Sequence, residues 1–423
     1  MASQASYEGS NPFGATLFAN EKGLNISTLK ALSKNIANLP NAASWSGFFS
    51  GLLVVFVSLT GPIAILYQAA QAANLSVEIT NSWLLAIFMG SGLFALLMSL
   101  RFGIPIIGSW ASTTTALLIT GLVDHPFSEV IGAYFVASII LMVIGYTGVF
   151  SRLMQTIPHA VIMAMLAGVL LTFGVKIFSS TRINPILGIS MLLVFFAAKA
   201  IKFRAPVVLA FVVGVVVVAL QSKINIPEIK LSIATPVWTN PTFPIGAFFT
   251  LTIPIVLLVM TSQNAPGIAL LKAVGYTPPI NTIVHFGGFL SLLGAGVGGS
   301  GVNLSSITAS IAITEESDPN PETRYFAGVV AGLAYCVAAI FAGVFSTLFG
   351  SFPGELTAVL AGIALLPIIT TSLVDAMEIK DYRDSAVVTF LVTISGVSAL
   401  GVGSPFWGLI AGVIVHQLQR LSR

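Results

Sequence analysis

The chain has 423 residues, of which 56% are hydrophobic and only 8% charged, against about 25% charged residues in soluble proteins. This composition excludes an ordinary soluble domain and predicts a protein embedded in a lipid bilayer. The net charge of +3 comes from dispersed residues without a Lys/Arg run, so no nucleic-acid partner is expected. Cys336 is the only cysteine, which excludes an intrachain disulfide and cysteine-based zinc or iron–sulfur sites.

The N-terminal residues 1–46 are polar and contain no apolar stretch typical of a cleaved signal peptide, so we expect a cytoplasmic tail there. Apolar stretches long enough to cross a bilayer then follow in order. The first seven predicted spans are 47–72, 82–100, 104–121, 128–150, 157–175, 184–201 and 205–221. An extramembrane segment with several prolines covers 222–243. The second seven spans are 244–271, 279–296, 301–314, 325–350, 355–374, 385–399 and 404–419.

The basic residues test this count of fourteen elements. With the N-terminus inside, fourteen Lys and Arg residues fall on the cytoplasmic side and only Lys176, Arg182, Lys223 and Lys230 fall outside. That distribution follows the positive-inside rule. An odd number of elements in each half places the halves, 47–221 and 244–423, in opposite orientations. The sequence therefore predicts an all-α polytopic membrane protein built as two inverted seven-element repeats, with both termini cytoplasmic.

The third span of each half is broken. Residues 111–120 (ASTTTALLIT) and 305–314 (SSITASIAIT) align without gaps and share four of ten residues. Each is too short to cross a bilayer, and each follows a backbone breaker: Pro105 and Gly108, or the glycines of 294–301. Irregular backbone survives in hydrocarbon only where it is buried in protein or lines a cavity. The pattern therefore predicts two half-helices meeting at the binding site of a transporter.

The residues at these breaks favour an anionic substrate. A helix N-terminus presents unpaired N–H groups and a partial positive charge, so two opposed ends can hold a carboxylate without a basic side chain. The candidate binding residues beside the two ends are Ser109, Ser112, Thr113 and Thr114, and Asn303, Leu304, Ser305, Ser306 and Thr308. Hydroxyl groups in membrane helices also bond back to helix carbonyls, which leaves a purely structural role open.

A second polar spot lies in the eighth span. Gln263 and Asn264 are adjacent amides that are costly to bury unless hydrogen-bonded, and Pro266 breaks the helix beside them. We expect these three residues to line the site, although a partly solvated position near the cytoplasmic end would also accommodate the amides. Tyr67 of the first span is a further candidate, for stacking on a flat substrate.

Three strings carry a family resemblance: 262–279 (SQNAPGIALLKAVGYTPP), 303–309 (NLSSITA) and 318–325 (DPNPETRY). Together they closely resemble the benzoate/proton symporter family, and the similarity runs through the whole membrane region. The resemblance implies benzoate uptake across the inner membrane of a bacterial cell. It also implies a fold similar to that of nucleobase permeases and anion exchangers. In that group, short strands precede the third and tenth half-helices, a core moves against a gate, and homodimers are common.

The chain departs from the nucleobase permeases at one point. As the resemblance implies, those permeases carry an acidic residue on the eighth element, where this chain has Gln263 and Asn264. A buried carboxylate there would repel a benzoate anion, so the difference is physically sensible. It leaves the proton carrier open among His285, Glu315 and the carboxyl group of the substrate itself.

The sequence thus predicts a secondary transporter for benzoate or a close aromatic carboxylate, driven by proton symport. The alternatives are a nucleobase permease, disfavoured by the missing acid, and an anion channel or exchanger of the same fold. A membrane-embedded enzyme has no support, because metal-ligand spacings, a nucleophile paired with a base and a phosphate-binding loop are all missing. We expect no metal and no cofactor.

Overall fold

The computed structural model describes residues 26–150, 158–203, 205–221, 233–299, 301–305, 308–397, 399 and 404–421. Helices dominate it. In the first half they are α1 (Ile26–Ala37), α2 (Trp45–Ser58), α3 (Gly61–Ala72), α4 (Val77–Phe102), α5 (Ser112–Asp124), α6 (Phe127–Thr147), α7 (His159–Ile183), α8 (Pro185–Ala200) and α9 (Pro206–Leu220). Strand β1 (Gly108–Trp110) precedes α5.

The second half follows the same order. Its helices are α10 (Ile245–Ala273), α11 (Ile280–Gly294), α12 (Ala309–Ala312), α13 (Tyr325–Ile340), α14 (Ala342–Gly350), α15 (Gly354–Glu378), α16 (Arg383–Ile394) and α17 (Ser404–Leu421). Strand β2 (Val302–Leu304) precedes α12. Short strands therefore stand before both broken segments, as the family resemblance implies.

The helices make this a multi-pass membrane protein. Among the described residues, seven helices are long and apolar enough to cross a bilayer, and the bent pair α13 and α14 provides an eighth if it is one span. Apolar helices α8 and α9 are shorter. Helices overlap each predicted span, although α7 extends to Ile183, beyond the predicted end at 175. The count of fourteen elements and their inverted arrangement stay predictions. The tail 1–46 is described only from Ile26, and the segment 222–243 only from residue 233.

Two π-helical stretches interrupt α10, at Phe248–Thr252 and Val259–Asn264. Each ends just before a proline, Pro254 or Pro266. A proline lacks the N–H of its turn and its ring clashes with the carbonyl four residues earlier, so the preceding turn widens. The second widened turn carries Gln263 and Asn264 and brings them opposite the strands.

The helices pack as two groups. In the group that contains the strands, which we call the crossing group (α2–α6 and α10–α14), α4 packs on α13, α6 on α11 and α3 on α5. In the flanking group (α7–α9 and α15–α17), α7 packs on α15 and α16, and α8 on α9. The two groups meet where α3 packs on α15 and where α7 contacts α5.

Candidate substrate site at the strand crossing

The two strands form an antiparallel ribbon in the middle of the crossing group. Gly108 lies opposite Leu304, Ser109 opposite Asn303, and Trp110 opposite Val302. Two further backbone bonds extend the ribbon, from Ala111 N to Gly301 O at 3.1 Å and from Ser305 N to Ile107 O at 2.9 Å. The non-helical backbone of both breaks is therefore hydrogen-bonded to itself, which meets the requirement for irregular structure inside a membrane protein.

The two faces of the ribbon differ. Successive strand residues point to opposite faces, so Gly108, Trp110, Val302 and Leu304 share one face. That face packs on α4: the Trp110 ring lies 5.1 Å from the Phe88 ring, and a Cβ at Gly90 would come within 2.7 Å of Val302. The opposite face presents Ser109 and Asn303. The register thus places one polar residue from each half of the chain side by side.

Helix α5 begins directly after the ribbon without a side-chain cap. Its N-cap residue is Ala111, which has no hydrogen-bonding side chain, whereas Ser44 and Ser76 cap α2 and α4. The first N–H groups of a helix have no intrahelical partner. Those of Ser112, Thr113 and Thr114 therefore have neither an intrahelical carbonyl nor a side-chain cap at Ala111 as partner.

The hydroxyl groups of α5 divide between structure and site. Thr114 and Thr115 donate to Ala111 O, at 2.7 and 3.2 Å, which is the structural role that the sequence left open. Thr113 instead pairs with Ser262 of α10 at 2.9 Å and is fully buried. This contact joins the first broken segment to the widened turn of α10.

The same turn also holds the second broken segment. Asn264 is 2% exposed, and its Oδ1 accepts a hydrogen bond from Leu304 N at 3.0 Å. Gly267 permits this approach, because a Cβ there would lie 2.8 Å from Leu304 Cγ and 2.9 Å from Ser305 O. Gln263 is 4% exposed beside Asn264. Both amides of α10 therefore lie at the strand crossing, and their role in binding substrate stays a prediction.

The second segment is the less regular of the two. Gly301 adopts φ +62°, in the region that favours glycine, and its carbonyl accepts a hydrogen bond from Asn303 Nδ2. Ser305 and Thr308 pair through their hydroxyls at 2.7 Å. Within the described part of this segment, the helical residues are Ala309–Ala312. Residues 306 and 307, between β2 and α12, lie outside the described residues, so the opposed helix N-terminus expected in the second half stays a prediction.

A buried guanidinium holds the far end of this segment. Arg324 donates to Asp318 O at 2.7 Å, Ile313 O at 2.8 Å and Pro319 O at 3.4 Å. Burial would raise the pKa of Asp318, but hydrogen bonds from Ser44, from Asn320 N–H and from Thr323, together with the Arg324 charge, outweigh it and lower that pKa. Arg324 and Asp318 therefore tie the end of α12 to the start of α2.

Two residues at the crossing did not stand out in the sequence. Tyr335 of α13 is fully buried and donates to Ser58 Oγ at 2.6 Å. Its hydroxyl also lies within reach of Ser109. Ser58 ends α2 where the first span breaks before Gly61 and Pro62. That break was the available signal for Ser58, whereas a tyrosine within an apolar span carries no such signal.

The remaining predicted residues lie elsewhere. Tyr67 donates to Ser346 O at 2.7 Å, and Pro266 is exposed on α10. The His285 ring faces α6, with Nδ1 3.0 Å from Met142 O, and Glu315 is exposed beyond α12. Ser306 lies outside the described residues. The structure thus brings together Ser109, Ser112, Thr113, Thr114, Gln263, Asn264, Asn303, Leu304 and Ser305, and leaves both proton-carrier candidates outside this group.

The fold of the chain resembles that of two solved structures. The chain resembles SLC26A9 with a TM-score of 0.59 and 13% identity, covering 93% of this chain and 69% of that one. It resembles the transmembrane domain of BicA, a cyanobacterial bicarbonate transporter, with a TM-score of 0.55 and 15% identity, covering 87% and 97%. Identities this low establish a shared fold and nothing further.

Sequence comparison identifies the family. Residues 41–418 match the model of the benzoate membrane transport protein family. The inner membrane protein YdcO of Escherichia coli K12 is 36% identical, and the benzoate membrane transport protein of Acinetobacter baylyi is 35% identical. Each alignment covers 88% of this chain and 95% of the relative. The chain therefore belongs to the benzoate membrane transport family and is a multi-pass inner membrane transporter, not an enzyme.

Proposed function

We propose that this protein imports benzoate, or a close aromatic carboxylate, as a secondary active transporter driven by proton symport. The observation that carries the proposal is membership of the benzoate membrane transport family, together with a buried polar crossing built from both halves of the chain. The substrate would be one small molecule bearing a carboxyl group and an aromatic ring. A proton would accompany it into the cell.

The carboxyl group would bind at the start of α5. The uncapped N–H groups of Ser112, Thr113 and Thr114 are hydrogen-bond donors there, and Ser109, Asn303, Gln263 and Asn264 supply neutral polar side chains around them. The ring would lie toward α7 of the flanking group, because α7 contacts both α5 and the widened turn of α10. This places the polar end of the substrate against the crossing group and its apolar end against the flanking group.

The architecture would be a seven-plus-seven inverted repeat, 47–221 and 244–423, with 1–46 and both termini cytoplasmic and 222–243 outside. The helix packing supports the repeat: the fourth predicted span packs on the ninth as the eleventh packs on the second. The sixth likewise packs on the seventh as the thirteenth packs on the fourteenth. The crossing group would move against the flanking group, as an elevator, within a homodimer.

An anion exchanger is the second candidate, because both structural neighbours described above are anion transporters. It would exchange one carboxylate for another anion without needing a proton gradient. A nucleobase permease is less well supported. As the resemblance implies, such permeases carry an acidic residue on the eighth element, where this chain has Gln263 and Asn264.

Uptake of labelled benzoate into proteoliposomes separates these candidates. A symporter accumulates benzoate when the outside is acidic, and the accumulation collapses when the pH gradient is removed. An exchanger accumulates it only when the vesicles are preloaded with an anion, and a permease shows competition by uracil or xanthine. Gln263→Ala and Ser306→Ala should abolish binding, whereas Thr371→Ala, an exposed hydroxyl on α15, serves as the control. Unchanged affinity in both site variants would contradict the site assignment.

A further inference from the structure

We propose that the site binds the substrate as the neutral carboxylic acid, so that the transported proton travels on the substrate and is held there by Asn303. The inference rests on the proposed function, since it concerns the protonation state in which benzoate occupies the same site. It makes Asn303 the residue that selects the protonated form, and it removes the need for a proton-carrying side chain.

The orientation of the Asn303 amide is set by its neighbours. Its Nδ2 donates to Gly301 O, and the same carbonyl accepts from Ala111 N. A flipped amide would place oxygen against oxygen, so Nδ2 must face Gly301. Asn303 Oδ1 is then left with no hydrogen-bond partner, in a side chain that is 1% exposed. A buried acceptor without a donor costs free energy unless a ligand supplies one.

This unpaired acceptor lies beside the start of α5. Gly301 is next to that helix, since a Cβ on it would lie 3.2 Å from Ala111 Cβ and 3.4 Å from Thr114 Oγ1. Asn303 also lies opposite Ser109 in the ribbon. The crossing therefore combines a buried acceptor from the second half with the uncapped N–H donors from the first.

A neutral carboxyl group matches this combination and a carboxylate does not. The neutral group has one O–H donor and one carbonyl acceptor, whereas the ionised group has only acceptors. Asn303 Oδ1 would accept from the O–H, and the N–H groups of α5 would donate to the carbonyl. A carboxylate in the same place would put an anionic oxygen against Asn303 Oδ1. Both atoms are acceptors, so no hydrogen bond would form between them.

The titratable groups around the strand crossing also favour a neutral carboxyl group. The titratable groups on the elements packed around Asn303 are His285 of α11, Glu78 and Arg101 at the ends of α4, Lys272 near the end of α10, Asp124 at the end of α5, and Tyr325, Tyr335 and Cys336 of α13. The His285 ring faces Met142, and Tyr335 is bonded to Ser58. Among the described residues, none of these places a cation at Asn303. A buried carboxyl group without a paired cation neutralises by raising its pKa.

The proton balance follows directly. A carboxyl group with a pKa near 4 is neutral in about one molecule in a thousand at pH 7, so binding takes one proton from solution for each molecule bound. The acid crosses with that proton and releases it on the other side, where the carboxyl group ionises again. Transport is then electroneutral, with one proton for each benzoate.

Proton uptake on binding is the first test. Calorimetric titration of the purified full-length protein with benzoate at pH 7, repeated in buffers with different ionisation enthalpies, counts the protons taken up. We expect one proton per benzoate and an affinity that falls tenfold for each pH unit between 6 and 8. Benzoate binding with no proton uptake would overturn the inference while leaving the proposed function standing. No benzoate binding at all would contradict the proposed function.

Benzamide is the second test, because it carries the same donor and acceptor arrangement without ionising. We expect it to displace labelled benzoate, with an affinity that does not change between pH 6 and 8. Failure of benzamide to compete, while benzoate binds, would contradict the inference.

Asn303→Leu is the third test, because it removes the acceptor and keeps the approximate volume. We expect loss of benzoate and benzamide binding together, by tenfold or more. The matched control is Asn281→Leu, since Asn281 also has an Oδ1 without a partner but lies in the first turn of α11; its affinities should not change. Equal affinities in the Asn303 variant and the native protein would overturn the role of Asn303. If that variant does not fold, the first two tests decide.

Discussion

The two broken segments look alike in sequence but differ in structure. The first continues from β1 into α5, a helix of 13 residues that starts with unpaired N–H groups. The second continues from β2 into a single helical turn of four residues, and its order depends on contacts from outside. Asn264 holds its strand and Arg324 holds its far end.

In the binding mode proposed above, the two segments would contribute different groups to the substrate site. The first segment offers backbone donors at the end of a long helix, whose dipole favours acceptor atoms there. The second offers a side-chain acceptor, Asn303, on a strand whose position is set by other parts of the chain. A symmetrical pair of helix ends would suit an anion. In the arrangement proposed above, one helix end and the Asn303 amide oxygen would together suit a group that both donates and accepts.

Removing the guanidinium should have the largest effect on this asymmetry. Arg324→Met leaves the carbonyls of Ile313 and Asp318 without their charged donor, at a cost of about 1.5–3 kcal/mol for each hydrogen bond. We expect a marked fall in the unfolding temperature and loss of benzoate uptake. The control is Arg383→Met, because Arg383 also donates to a helix-end carbonyl, Met377 O, but is exposed. Similar stability in both variants would mean that the second segment does not need its anchor.

A side chain added at Gly267, between α10 and β2, should have the second largest effect. In Gly267→Val the new side chain meets Leu304 Cγ and Ser305 O, where even a Cβ would lie within 3 Å. Overpacking of this kind costs about 1–3 kcal/mol, and the shift of β2 should weaken benzoate binding. Gly354→Ala is the matched control, since a Cβ there meets nothing within 4 Å. A Gly267 variant that binds benzoate normally would show that β2 tolerates displacement.

Removing the hydrogen bond between the first broken segment and α10 should have a smaller effect on stability than the two changes above. A double-mutant cycle of Thr113→Val and Ser262→Ala isolates the hydroxyl pair at 2.9 Å. Hydrogen bonds between membrane helices contribute about 0.6 kcal/mol on average, and we expect a coupling energy of that size in thermal unfolding. A coupling above about 2 kcal/mol would make the first segment as dependent on α10 as the second.

Acid should slightly reduce the stabilisation that Asp318 gives to the second broken segment. The pKa of Asp318 is lower in the folded protein than in the unfolded chain, so its stabilising contribution is fully present above its ordinary pKa. The contribution is lost as the pH falls through the lowered pKa. We expect Asp318→Asn to lower the unfolding temperature at pH 7, with the difference from the native protein shrinking below about pH 4. A difference that stays constant from pH 7 to pH 3 would exclude ionised Asp318 as part of the anchor.

Periodicity and composition located the helices well. The predicted spans 47–72 and 128–150 correspond to Trp45–Ala72 and Phe127–Thr147, because long apolar runs in a membrane have few alternative structures. The hydroxyl repeat also placed the two strands' segments together. It could not give the length of α12, since the residues 305–314 are as compatible with a helix as 111–120. Directly after α12 the Ile313 carbonyl accepts a hydrogen bond from Arg324, a side-chain contact that periodicity does not display.

Side-chain roles at the site were harder to predict. Asn264 and Thr113 were expected as substrate ligands, and both make contacts that hold the segments in place. Tyr67 and His285 were expected on chemical grounds alone, and each side chain faces a different helix. Residue type suggests chemistry, but the direction of a side chain is decided by packing that the sequence does not display.

The alanine at the N-cap of α5 has a consequence for how the empty protein compares with the loaded one. A serine or aspartate in that position would complete the helix from within and gain about 1 kcal/mol. Ala111 leaves the first turn without a side-chain cap, and in the binding mode proposed above the carboxyl group of the substrate would take the place of that cap. Under that proposal, the substrate would complete the hydrogen bonding of the first turn of α5, so that binding and helix capping would be the same interaction.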